Sequence, residues 1–208
     1  MTEPAPAFFY PNRMGRIILS ATEEIIGGEA ARMVVDRAAL PEFAVNVPPN
    51  DLEARISFES ISRLQAALDE VYGPGGSGIA LRIGRACFQQ GLQDFGPSAG
   101  LTELTFRLLP LNTKLSAGAR AFAGIFNQYT DQRVRVEEDA ERIYWHIERC
   151  PVCWERRTDR GCCHLAIGLL QEALCWASNG RLFNVEEVAC VACGAPACTI
   201  AIDKVPLS

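Results

Sequence analysis

The sequence predicts an α+β fold: a helical N-terminal two-thirds, then a four-stranded antiparallel sheet laid out β-β-α-β-β. Three observations carry it. Apolar residues recur at helical spacing through most of the first 130 positions. The period then switches to two, with Ile143, Trp145 and Ile147 on one side of a short run. One further helical stretch, 163–178, is followed by two more alternating runs, 182–190 and 198–204. Strands that neighbour in sequence and lack long crossovers form antiparallel sheets.

The elements follow in order. Residues 4–12 are rich in proline and aromatics and read as an extended arm. Over 14–26, Met14, Ile17, Ile18, Ala21 and Ile25 share a face, and Gly27-Gly28 ends the helix. A weaker helix spans 29–40, before Pro41, and 46–51 is loop. Ser57 is an N-cap, with Ile56 and Ile61 placed as a hydrophobic staple. The stripe Phe58, Ile61, Leu64, Leu68, Val71 makes 58–72 an amphipathic helix. Gly73-Pro74-Gly75-Gly76-Ser77-Gly78 breaks it, and 79–95, 101–109 and 113–128 read as helices. Strands are expected over 133–137 and 142–149, turning at 138–140; Asn179-Gly180 caps the helix 163–178.

The chain has 208 residues, 49% of them hydrophobic and 22% charged, enough apolar material for one packed domain over 1–208. A net charge of -5 argues against nucleic acid as partner, since such proteins carry a basic footprint. No run reaches the ~20 apolar residues of a membrane span; 165–177 is interrupted by Gln171 and Glu172. The start lacks a basic leader region, so a cytoplasmic location is expected. The glycine spacing at 73, 75 and 78 matches a dinucleotide fingerprint only in letters, because it follows a helix and not a strand.

Eight of nine cysteines fall in the last third: Cys150, Cys153, Cys162, Cys163, Cys175, Cys190, Cys193 and Cys198; Cys87 stands apart. In a reducing compartment such clustering points to metal or redox chemistry rather than disulfides. The turn at 194–196 puts Cys190 and Cys198 on neighbouring strands, and Cys163 opens a helix, where its thiolate is favoured. One ligand set is Cys163, Glu187, Cys190 and Cys198; a competing set is Cys150, Cys153, Cys190 and Cys193. Four protein ligands leave a zinc no open position, so it would be structural, and an iron–sulfur cluster is the alternative. Cys87 and Cys175 are read as packing residues. His146 lies on the strand face opposite Trp145, and His164 adjoins Cys163 on a helix, about 100° away and poorly set as its base.

These C-terminal segments resemble the 4-vinyl-reductase domain family: Cys150-Pro151-Val152-Cys153-Trp154, Cys163-His164-Leu165-Ala166, Val185-Glu186-Glu187-Val188-Ala189-Cys190, and Gly194 with Cys198. The phrase from Phe8 to Ile17 looks like the start of stand-alone bacterial members. The resemblance implies a fold similar to vesicle-tethering TRAPP subunits and dimerisation through helices. It implies binding of small hydrophobic molecules, as in phenol and xylene sensors, or a part in reducing the 4-vinyl group during bacteriochlorophyll synthesis. It also implies a zinc held by three cysteines and a glutamate. Glu187, Cys190 and Cys198 match that pattern, with Cys163, or else Cys162, as the third thiol. Cys150, Cys153, Cys162 and Cys193 exceed it.

The expected function is therefore binding of a hydrophobic small molecule, a hydrocarbon, aromatic or tetrapyrrole precursor, in a pocket between helices and sheet. Trp145, Phe106, Phe122 and Phe126 are its candidate walls. A 4-vinyl reductase using an external electron donor, and an iron–sulfur or thiol redox sensor, are the alternatives. A homodimer is expected through residues 1–50, with 51–208 holding the pocket and metal.

Overall fold

The structure is a computed structural model that describes residues 7–101 and 104–207. Strand β1 (Phe9–Pro11) pairs antiparallel with β2 (Ala54–Ser57), setting Tyr10 opposite Ile56. Sequence reading expected only an extended arm here, its first residues outside the described chain. Strands of three and four residues are too short to show alternation.

Helices α1 (Asn12–Ile26), α2 (Gly28–Arg37) and α3 (Pro41–Val45) fill the space between those strands. Met14, Ile18 and Ala21 of α1, with Val34 and Val35 of α2, are buried; Leu19 and Ile26 are half-buried. α2 stops short of the expected Leu40 because Ala39 takes a φ of 51°. Helix α4 (Phe58–Tyr72) matches its expected bounds, and the Ser57 hydroxyl accepts a hydrogen bond from Ser60 N–H at 3.1 Å. A single 3-10 turn over Gly73–Gly75 leads into α5 (Gly76–Phe95), which begins three residues earlier than expected. The helix expected over 101–109 is reduced, among the described residues, to the turn α6 (Leu104–Arg107). Helix α7 (Leu111–Tyr129) follows.

The C-terminal part has the α+β layout that the sequence predicts. Strands β3 (Val134–Glu138) and β4 (Arg142–Ile147) form a hairpin. A 3-10 turn (Pro151–Cys153) and an irregular loop lead to α8 (His164–Ala177), then β5 (Phe183–Ala189) and β6 (Cys198–Pro206). The sheet order is β3-β4-β6-β5, every neighbour antiparallel. Register sets Ile143 opposite Ile202, Trp145 opposite Ile200 and Ile147 opposite Cys198. Because side chains alternate across a strand, all six point to one face, and all are buried.

Helix α5 is the central beam, packed by α8, α1 and α4. It crosses α8 at backbone contact. A Cβ on Gly84 would stand 2.1 Å from the Leu165 carbonyl oxygen, and one on Gly168 would stand 2.0 Å from that of Leu81. Two glycines facing across one crossing fix where α8 sits above the sheet. Among the described residues no helix is long and apolar enough to cross a membrane.

Candidate functional site

An apolar cleft of about 470 Å³, including space open to solvent, lies where α5, α7 and α8 meet the sheet. Phe88 comes from α5, Leu115 and Phe122 from α7, Leu170 and Trp176 from α8, and Ile143 and Trp145 from β4. The rings brace one another. Phe106 stacks on Trp176 at 5.9 Å, Phe122 lies 5.6 Å from Trp145, and Phe88 meets Phe122 edge-on at 5.6 Å. Of the four walls expected from sequence, Trp145, Phe106 and Phe122 line this cleft. Phe126 stands behind Trp145, edge to face at 6.2 Å, and lines two other interior cavities instead.

The sequence reading missed Phe88, Trp176 and, above all, Lys114. This lysine lines the cleft at 8% exposure. Among the described residues its ammonium has no hydrogen-bond or ion-pair partner. Its stripe, Lys114 and Gly118, runs beside the apolar row Leu115, Ala119, Phe122. Gly118 leaves room for the Phe106 ring, whose edge would be 3.2 Å from a Cβ there. A lysine one turn before a glycine, beside an apolar row, is the signal that sequence offered.

The second candidate site is a sulfur cluster at the N-terminal end of α8. Two overlapping groups form: Cys150, Cys153, Cys163 and Cys198; and Cys163, Glu187, Cys190 and Cys198. In each, the ligating atoms lie within 4.8 Å of one another. The Sγ separations are 3.5 Å for Cys150–Cys163, 3.3 Å for Cys153–Cys198, 3.6 Å for Cys163–Cys198 and 3.9 Å for Cys190–Cys198. These are contacts, far beyond the ~2.05 Å of a disulfide. The turn Pro151–Cys153 folds Cys153 back beneath β6, so it joins Cys198 and not Cys193. Cys193 is exposed and Cys162 stands beside Thr158; neither belongs to a group.

Electrostatics in the cluster follow from hydrogen bonding among the thiols and, at Glu187, from burial. Neighbouring thiols that donate to the Cys190 sulfur, Cys153 first, pull it toward the thiolate. Hydrogen bonding with Cys150 and the other thiols drives Cys163 the opposite way. Burial pushes the Glu187 carboxyl up to about 7, although its Oε2 accepts the Cys163 N–H at 3.0 Å. Its Oε1 is buried without a partner. Cys87 lines an interior cavity with Tyr10 and Met14, and burial pushes its thiol up to about 12.

The histidines face elsewhere. His146 lies on the sheet face away from the cleft, with Nδ1 3.0 Å from Thr199 Oγ1 and Nε2 3.3 Å from a Glu137 oxygen. His164 lines a polar cleft with Arg160, Cys162 and the Arg156–Asp69 ion pair (2.9 Å); burial lowers its pKa. Gly73 lies on the rim of the same cleft.

No family model and no curated protein matches the chain. Solved structures do. An H-NOX domain from a study of heme distortion in that family superposes with a TM-score of 0.60 at 15% identity, covering 95% of this chain and 97% of the other. An oxygen-binding H-NOX domain related to soluble guanylate cyclases gives 0.54 at 14%, covering 91% and 93%. The H-NOX protein from S. oneidensis, in its Fe(II)NO state, gives 0.57 at 12%, covering 93% and 99%. The chain thus has a fold like that of H-NOX domains.

That finding corrects two expectations. The resemblance to 4-vinyl-reductase domains, with a TRAPP-like fold, is overturned, because the neighbours over nearly the full length are H-NOX domains. Short cysteine phrases had carried the resemblance, whereas the order of helices and strands carries the fold. The expected zinc, or iron–sulfur cluster, is overturned as well: the neighbours are described with heme and Fe(II), not with either.

Proposed function

We propose that this chain is a binding domain for an apolar small molecule, held in the cleft between α5, α7, α8 and the sheet. The observation that carries it is the cleft itself: braced aromatic walls from five elements around unfilled space, with one charged side chain among the described residues. Ligand sites have this form, apolar walls with a few placed polar groups. The fold supports the reading, since neighbours sharing it are described with bound heme and oxygen.

The residues of this cleft do not fit heme. Heme iron takes an axial His, Cys, Met or Tyr, and none lines the cleft. His146 faces the other side of the sheet and His164 opens on the polar cleft. The interior cavity nearby offers Tyr10, whose hydroxyl is held by Gln132, Cys87, held as a thiol, and Met14. A bare organic guest suits these walls better. Native mass spectrometry of protein purified without detergent is expected to show an extractable apolar adduct. Finding none, together with no binding of a naphthalene-class dye, overturns the reading.

A further inference from the structure

We propose that Lys114 is the anion-recognising group of the cleft, so that its ligand is an apolar acid: an aromatic or aliphatic body bearing one carboxylate, sulfonate or phosphate. The inference rests on the cleft being the binding site. Three observations converge. Lys114 is 8% exposed and, among the described residues, has no partner for its ammonium. A lysine this enclosed normally ends on a counter-charge or a hydrogen-bond acceptor, and among the described residues this one has neither. Among the described residues no acidic side chain lines the cleft, and none stands in the first turn of α7, where Lys114 sits. Glu138 of β3, the carboxylate that α7 does engage, is committed to Ser116, Arg120 and Lys204.

The position sharpens the point. A cation in the first turn of a helix opposes the helix dipole, so the fold alone gains nothing from a lysine there. With a guest anion present, the ammonium and the positive end of α7 act together. The long apolar stem of Lys114 lies against the same walls that would hold the guest's body.

Two dyes separate the parts of the claim. 1-Anilinonaphthalene-8-sulfonate and N-phenyl-1-naphthylamine share an aromatic body and differ by the sulfonate. Fluorescence titration of the wild-type protein is expected to give tighter binding of the sulfonate by about tenfold or more, the scale of one charge-assisted hydrogen bond. Lys114→Met, or Lys114→Gln if the first folds poorly, is expected to erase that preference and leave the neutral dye within about twofold. Lys114→Arg is expected to restore it. Ala119→Trp, which fills the cleft, is expected to abolish both dyes.

A Lys114→Met protein that keeps the preference, or a wild type that binds both dyes equally, overturns the role of Lys114 while the cleft stands. A wild type that binds neither dye, or dye binding untouched by Ala119→Trp, overturns the cleft as the site and the inference with it.

Discussion

The two ends of α8 are built on opposite terms. At the start, Cys163 is wholly buried among Cys150, Cys153, Cys190 and Cys198, every sulfur within about a contact distance of another. At the far end, Trp176 and Ala177 border space that no side chain fills. The sulfur end is dense and its groups satisfy one another, apart from one Glu187 oxygen. The cleft end is braced by rings yet leaves a lysine without a partner. One helix of fourteen residues, about 21 Å long at 1.5 Å per residue, thus separates a region whose structure is complete from one whose structure waits on an occupant.

What keeps them independent is the crossing in between, and it offers the largest expected effect. Gly168→Val puts atoms where the Leu81 carbonyl oxygen already is. Overpacking of that kind costs about 3 kcal/mol or more, because backbone cannot yield as a side-chain tip does. The urea midpoint is expected to collapse, with both ends lost together. A variant with a normal midpoint would mean that the crossing does not hold the two regions apart.

The next effect is confined to the cleft. Trp145 is 2% exposed and meets both Phe122 and Phe126. Trp145→Ala is expected to cost about 3–5 kcal/mol, with dye binding altered. The reactivity of native thiols toward Ellman's reagent is expected to stay unchanged. Cys198→Ala does the reverse. Cys198 is fully buried and its sulfur touches three others. The variant is expected to lose about 1–3 kcal/mol and to expose the remaining thiols to the reagent. Dye affinity in the cleft is expected to hold. If either substitution disturbs the opposite end as much as its own, the two regions are one unit.

The same contrast decides what was legible beforehand. The cleft walls Trp145 and Phe122 were readable because period and face are written locally: one strand alternation, one helical stripe. Lys114 was not, since a lysine beside a stripe ordinarily lies in water, and only the packing of α7 against α8 and the sheet shows that it does not. The sulfur end was readable as a cluster and ambiguous as a ligand set. Spacing suggested that Cys150 and Cys153 join Cys190 and Cys193, but the turn after β4 carries Cys153 to Cys198. Sequence spacing does not encode the direction of such a turn. The β1–β2 pair escaped for a related reason: its partners are separated by three helices and each strand is too short to leave a pattern. The metal identity and family drawn from those cysteine phrases failed, whereas the α+β layout, read from the change of period, held.

The smallest effect tests whether the cleft end alone responds to acid. Glu138, at the end of β3, accepts hydrogen bonds from Ser116 and Arg120 on α7 and lies 2.9 Å from Lys204 Nζ on β6. It therefore ties the helix carrying Lys114 to two strands. Hydrogen bonding from Ser116, then from Lys204, holds its carboxyl down at about 2, against an ordinary 4.5. A depressed carboxyl favours the ionised folded state, so its stabilisation is complete above about pH 4.5 and is lost as pH falls toward 2. Arg120 is largely exposed and Glu138 partly so, which keeps the contribution near 1 kcal/mol. Glu138→Gln is accordingly expected to lower the urea midpoint at neutral pH by that amount and to match the wild type near pH 2. At neutral pH its dye affinity should weaken slightly, while thiol reactivity at the other end of α8 should not move. A gap between variant and wild type that persists at pH 2 would assign the loss to packing and not to charge.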